Sequence, residues 1–245
     1  MKAIQLFAAL ALVLTCGIVG CDPEEEILPV SKKTAAPVKK STDKWKKTPL
    51  GKNISIETQG KKRRIAVDAY VCLREGPLEL LMTRAKMKEH EAVLAADINV
   101  KLLHAGLLAI KAKPGAPVQF EPKYKPAHGQ TIKVTLIYEK KGKLIQVPAQ
   151  EWILNTTTKK PMDKEWVFGG SRLVQNPLDP KGKALFLAHQ DGDVVCISNF
   201  ESALLDVPVK VTKVNEELMY EARTAVIPKE ETKVKVIFEA VPPKK

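Results

Sequence analysis

Short apolar runs broken by turn residues dominate the chain, and they predict strands more often than helices. Arg64-Ile65-Ala66-Val67-Asp68-Ala69-Tyr70-Val71 has the composition of a half-buried strand. Gly76-Pro77 turns the chain before Leu78 to Met82, a second apolar run, and Glu91 to Ala96 is a third. The period then changes. Val100, Leu103, Leu107 and Ile110 recur at spacings of three and four, with Lys101, His104 and Lys111 on the opposite face. This predicts a helix over about 98–112, capped by Asp97 or Asn99 and stopped by Pro114-Gly115. Beyond it the strand pattern returns. Ile132 to Glu139 and Leu144 to Val147 flank Lys140-Lys141-Gly142-Lys143 as a hairpin. Glu165 to Phe168, Ala184 to Ala188, Asp193 to Ser198 and Lys233 to Glu239 read as further strands, and Asn199 to Val207 as a helical turn. The expected class is a single α+β domain over 63–245, mostly antiparallel strands with one clear helix.

Upstream of that body the pattern is different. Lys2 precedes an almost wholly apolar run from Ala3 to Gly20, which marks an export signal over 1–20. Its exit, Ile18-Val19-Gly20-Cys21, resembles the lipobox of bacterial lipoproteins. That resemblance implies acylation of Cys21 and cleavage before it. Each buried methylene of the lipid adds roughly 0.8 kcal/mol, so two or three chains hold a protein to a bilayer. An ordinary cleaved signal and an uncleaved anchor helix are the alternatives. All three place the rest of the chain in the cell envelope, on the periplasmic or exterior side. Residues 21–62 then read as a lipidated cysteine and a polar, basic tether.

Charge changes the picture only once it is located. The formal net charge is +12, yet residues 31–64 hold twelve Lys or Arg against Asp43 and Glu57. The excess lies mainly in the expected tether, which favours anionic lipid head groups or wall polymers as its contacts. Export and the 5% aromatic content argue against nucleic acid. With Cys16 in the leader and Cys21 lipidated, Cys72 and Cys196 remain. They lack zinc or cluster spacing, and the choice is between one disulfide and two buried free thiols. No cofactor is expected.

Several stretches resemble the YdjY domain family of exported bacterial proteins. They are His90-Glu91-Ala92-Val93-Leu94, Leu102-Leu103-His104-Ala105, Ala112-Lys113-Pro114-Gly115 and Pro126-Ala127-His128-Gly129. Trp166-Val167-Phe168-Gly169-Gly170-Ser171, Asp191-Gly192-Asp193-Val194-Val195-Cys196, Ser198-Asn199-Phe200 and Leu204-Leu205-Asp206-Val207-Pro208 complete the series. The resemblance supplies no catalytic residues. Ferredoxin-related labels within the family do not transfer, because the clustered cysteines such chemistry requires are absent from this sequence.

Candidate chemistry is sparse. His90 with Glu89 and Glu91 is the densest set of ionisable groups, though a strand would put His90 on the opposite face from both carboxylates. His90, Glu91 and His104, brought together by folding, would make a two-histidine, one-carboxylate metal or acid–base site. A solvated His104 on the polar helix face is the competing expectation. His128 and His189 sit in turn compositions, as do Asp191 and Asp193, which lack the other ligands of a calcium loop. Ser171 follows two glycines without a nucleophile elbow. Trp152, Trp166 and Phe168 are expected in the core. The functional expectation is a non-catalytic envelope module for binding or scaffolding; the alternative is an enzyme built on His90, Glu91 and His104. Cys21→Ser is expected to abolish incorporation of labelled palmitate and to release the protein from membranes. Unchanged membrane retention would point to an uncleaved helix.

Overall fold

The computed structural model describes residues 44–211 and 219–242. The leader, Cys21 and the chain to Asp43 lie outside the described residues. In chain order the main elements are β1 (Lys46–Gly51), β2 (Ile54–Gln59), β3 (Lys62–Val71), β4 (Leu80–Arg84), β5 (Ala92–Ala96) and α1 (Val100–Ala109). They continue with β6 (Thr131–Lys140), β7 (Lys143–Pro148), β8 (Trp166–Phe168), α2 (Leu187–Asp191), β9 (Asp193–Cys196), β10 (Leu205–Asp206) and β11 (Lys233–Ala240). No helix among the described residues is long and apolar enough to cross a membrane.

The strands form one sheet that returns on itself. Starting at β3, the neighbours run β11, β6, β8, β10, β9, β4 and β5, and β5 pairs back onto β3. The expected α+β class is therefore corrected: the chain is mostly β, built on a closed eight-stranded barrel. Closure is diagonal. β5 joins β3 at Tyr70 and Val71, one end of that strand, while β8 joins β6 at Thr131 and Ile132. Ile132 lies opposite Ala240 on β11, at the other end of the three-strand unit. Such an offset is the tilt a closed barrel requires. The vacant edges left by the offset take β2 on β3 and β7 on β6.

Alternation along the three long strands fixes the core. Ile65, Val67, Ala69 and Val71 on β3, Val234, Val236 and Phe238 on β11, and Ile132, Val134, Leu136 and Tyr138 on β6 all point inward and are buried. Trp152, Trp166 and Phe168 join them with no exposure, as expected. The predicted helix is present, with Asn99 as its cap: the Asn99 side chain accepts from the Lys101 N–H. Val100, Leu103, Leu107 and Ile110 are buried in the core cluster. Gly106 lets α1 approach β1 and β3, since a methyl there would meet the side-chain ends of Leu50 and Ile65.

Residues 46–62 need a second correction. Expected in the tether, they form β1, β2 and the start of β3, so the folded body begins upstream of 63. Lys46, Lys47 and Pro49 on β1 are the side chains that blunt an edge strand, and that composition reads as a tether. The strand expected over 184–188 shrinks to Leu185–Phe186, followed by α2. The hairpin at 140–143 is confirmed, with Lys141 and Gly142 both at positive φ.

Gly129 carries a steric load. Gly129 sits at φ 150°, and a Cβ there would lie 2.2 Å from the Phe168 carbonyl oxygen. Gly142, at φ 72°, has open space around it. Gly129→Ala should cost at least the ~1–3 kcal/mol of overpacking, because backbone would have to move. Gly142→Ala should cost only the ~1–2 kcal/mol of a left-handed residue. Denaturant unfolding of both variants checks the ranking.

Candidate functional site

The three residues of the anticipated metal or acid–base site are not assembled. His90 lies on a one-turn 3-10 helix, Glu89–Glu91, rather than on a strand, and its side chain is 79% exposed. Glu91 lies 3.7 Å from His90 and 3.8 Å from the Lys88 ammonium. Glu89 is turned away, accepting from the Tyr70 hydroxyl at 2.8 Å and the Lys86 N–H at 2.7 Å. His104 does not face outward. Its ring packs against Phe168 at 5.2 Å and Phe186 at 5.5 Å, because β8 and the 185–186 ribbon fold over that side of α1. Burial lowers its pKa and keeps it neutral. Among the described residues, no group of three or more His, Cys, Asp or Glu side chains is placed to hold a metal ion.

Other sequence candidates have structural partners. Cys72 and Cys196 are free thiols, not a disulfide. The Cys72 thiol donates to the Ala92 carbonyl at 3.1 Å, and burial pushes it up to about 12, which makes it a poor nucleophile. The Ser171 hydroxyl donates to the Ser202 carbonyl at 2.6 Å and accepts from the Ala188 N–H at 2.9 Å. His189 spans from Arg84, 3.2 Å from its Nε2, to the Val100 N–H at the start of α1. Burial and the nearby Arg84 charge hold its pKa down. His128 is exposed on a two-residue strand paired with Pro114–Ala116.

The network that sequence reasoning missed is centred on Asp193 and Asp206. Asp193 is 1% exposed. It receives the Lys88 ammonium at 2.8 Å and the Ser202 hydroxyl. Lys88 also lies over the Phe200 ring, 4.1 Å from its centroid. Burial works against its charge, but the hydrogen bond to Asp193 together with the charges of Asp193 and Glu91 raises its pKa and holds it cationic, so it cannot serve as a base. Asp206 has no exposure. Its Oδ1 accepts from the Val207 N–H at 2.7 Å and the Asn199 amide at 3.2 Å, while Oδ2 has no partner. The Tyr124 hydroxyl, which feels the Asp206 charge, is likewise buried and unpartnered. Desolvation wins over these donors and pushes the Asp206 carboxyl up to about 8.

On the outer face of the sheet the same strands form an open groove of about 880 Å³. Its near end is Trp45, whose ring lies 3.8 Å above the Arg64 guanidinium. Arg64 in turn pairs with Glu57 at 2.7 Å. Lys235 bonds Asp68 in the middle. The far end holds Tyr70, Leu144, Lys233, Glu139 and Glu231. Glu139 and Glu231 have no ion-pair partner among the described residues. Leu144 is 59% exposed.

The family model for the YdjY domain matches residues 56–239. The chain belongs to the YdjY domain family. No curated protein and no solved structure matches it. Within this YdjY domain, Asp193, Asn199 and Asp206 all fall in stretches that carried the resemblance. One local signal pointed to Asp206: a carboxylate inside the apolar run Leu204-Leu205-Asp206-Val207. Nothing local linked it to Asn199 or Tyr124.

Asp206 makes a pH prediction. Its carboxyl titrates near 8 in the folded chain against about 3.9 unfolded. A raised pKa contributes stability that is fully present below about pH 4 and lost as pH rises to about 8. The slope from this one group is up to about 1.4 kcal/mol per pH unit. Asp206→Asn should remove that slope, so the stability difference between variant and wild type should move in the variant's favour from pH 4 to pH 8. Parallel stability–pH curves from denaturant titrations would show Asp206 already ionised when folded.

Proposed function

We propose that this YdjY-domain protein is exported, held to a membrane on its periplasmic or exterior side through a lipid on Cys21, and acts there as a non-catalytic binding module. The leader and the cysteine after it support the first half. The observation that carries the second half is the groove running from Trp45 to Glu139. Extended, open and lined by aromatic rings and unpaired carboxylates, it suits a strand of polypeptide better than a small molecule enclosed on all sides. The disposition of the nucleophile and base candidates supports the same reading. Ser171 is committed to two backbone groups, Lys88 is held cationic, and His90 and His104 lie on separate elements. The basic residues upstream of Trp45 favour anionic lipid or wall polymer as a secondary contact.

Selection of random peptides against the immobilised protein tests the reading. It should return extended, basic sequences that insert a cation between Glu139 and Glu231. Glu139→Lys combined with Glu231→Lys should weaken those peptides by at least tenfold. Selected peptides indifferent to the double reversal would place binding elsewhere.

A further inference from the structure

We propose that residues 175–184 form a membrane-contact loop, which inserts Leu178 into the interface of an anionic phospholipid bilayer. The loop extends from a short ribbon, Leu173–Val174 paired with Leu185–Phe186. Phe186 seats the ribbon on the body: it is buried and its ring lies 5.5 Å from that of His104. Leu178 is 95% exposed, the most exposed large apolar side chain among the described residues. Leu173, at the base of the loop, is exposed as well.

The backbone at the tip is prepared for an environment poor in hydrogen-bond partners. A bilayer offers little to an unsatisfied N–H, so a loop that enters it has to satisfy its own donors. Pro177 and Pro180 have no N–H. The Leu178 N–H donates to the Asn176 side-chain oxygen at 3.0 Å, and the Asp179 N–H donates to the Asn176 carbonyl at 3.1 Å. Residues 177–180 therefore keep no free N–H. Behind them the Gln175 amide donates to the Asp179 and Gly182 carbonyls, both at 3.0 Å, which holds the turn in one shape. A tip without free donors cannot add a strand to a partner sheet. What it presents is the Leu178 side chain.

Charge selects the lipid. Arg172, Lys181 and Lys183 stand against Asp179 in residues 172–186. Arg172 pairs with Glu201 at 3.4 Å. Lys181 and Lys183 are exposed and have no ion-pair partner among the described residues. A projecting leucine beside two free lysines matches acyl chains beneath anionic head groups. The same composition fits a protein partner poorly, because residues 172–185 hold no aromatic side chain and lysine is depleted from protein interfaces. The contact rests on the anchoring reading only for a bilayer within reach. On a tethered domain it is intramolecular, so a weak contact is enough.

The test puts a probe at the tip of the full chain. Leu178→Trp protein is reconstituted in vesicles of phosphatidylglycerol and phosphatidylcholine with brominated acyl chains. The fluorescence it adds to the wild type should shift to the blue and lose about half its intensity or more, as for a ring at the head-group boundary. Lys181→Glu with Lys183→Glu should weaken the contact at least about 25-fold, roughly fivefold for each lysine, and remove the quenching. All three positions are exposed, and an unchanged melting temperature confirms that the variants are folded. Equal quenching in pure phosphatidylcholine, or in the lysine reversal, would overturn the proposal. A tip indole left in water would also overturn it, and in protein that floats with the vesicles and carries palmitate the anchor would still stand. Quenching in protein that takes up no palmitate would support the contact and count against the anchor. A blue shift that needs no vesicles and grows with protein concentration would overturn it in favour of a second copy. A photo-crosslinker at 178 that captures a protein instead of lipid from cell envelopes would overturn it in favour of a protein partner.

Discussion

Two residue pairs, Tyr70 with Ala95 and Val71 with Leu94, close the barrel. Everything else in the fold is arranged around that short seam. β3, β11 and β6 make a long, well-paired antiparallel unit. Only the return of β5 to the far end of β3 gives the apolar face of this unit an inside. The seam is short because the strands meet diagonally, and the diagonal leaves spare edge on β3 and β6. β2 and β7 occupy those edges and extend the outer face into the groove. The groove is thus a geometric by-product of the way the barrel closes.

The polar network has a different physical origin. β4, β9 and β10 are short and irregular, with register shifts on the pairing of β9 with β4. Where the ladder is irregular, side chains take over its polar work. Asn199 accepts from the Val211 N–H and donates to Asp206, Asp206 accepts from the Val207 N–H, and Asp193 holds Lys88 and Ser202. Paired in this way, the lysine and its aspartate are satisfied. The cost of burial falls instead on the unpartnered oxygen of Asp206, which the chain meets by keeping that carboxyl protonated near neutral pH.

Several features follow from local chemistry and were legible before folding. The 3.6-residue period of Val100, Leu103, Leu107 and Ile110 can serve only a helix face, and Asn99 has the side chain a cap needs. Lys141-Gly142 can take positive φ, so the hairpin forms between β6 and β7. Alternation on β3, β6 and β11 selects the inward side chains. The order of motifs from His90 to Pro208 carries the family.

Tertiary structure alone decided the rest, because the deciding pairings join residues far apart in the chain. Tyr70 meets Ala95 across an intervening strand and turn, and no local pattern distinguishes an open sheet from one that closes into a barrel. Lys46 to Gln59 look like a tether in sequence because an edge hairpin presents lysine and threonine outward. His104 occupies a polar position by period yet lies between Phe168 and Phe186, since what covers a helix face is set by elements 60 to 80 residues downstream. The protonation of Asp206 was likewise invisible in sequence: the same side chain is an ordinary carboxylate until folding removes the water around it.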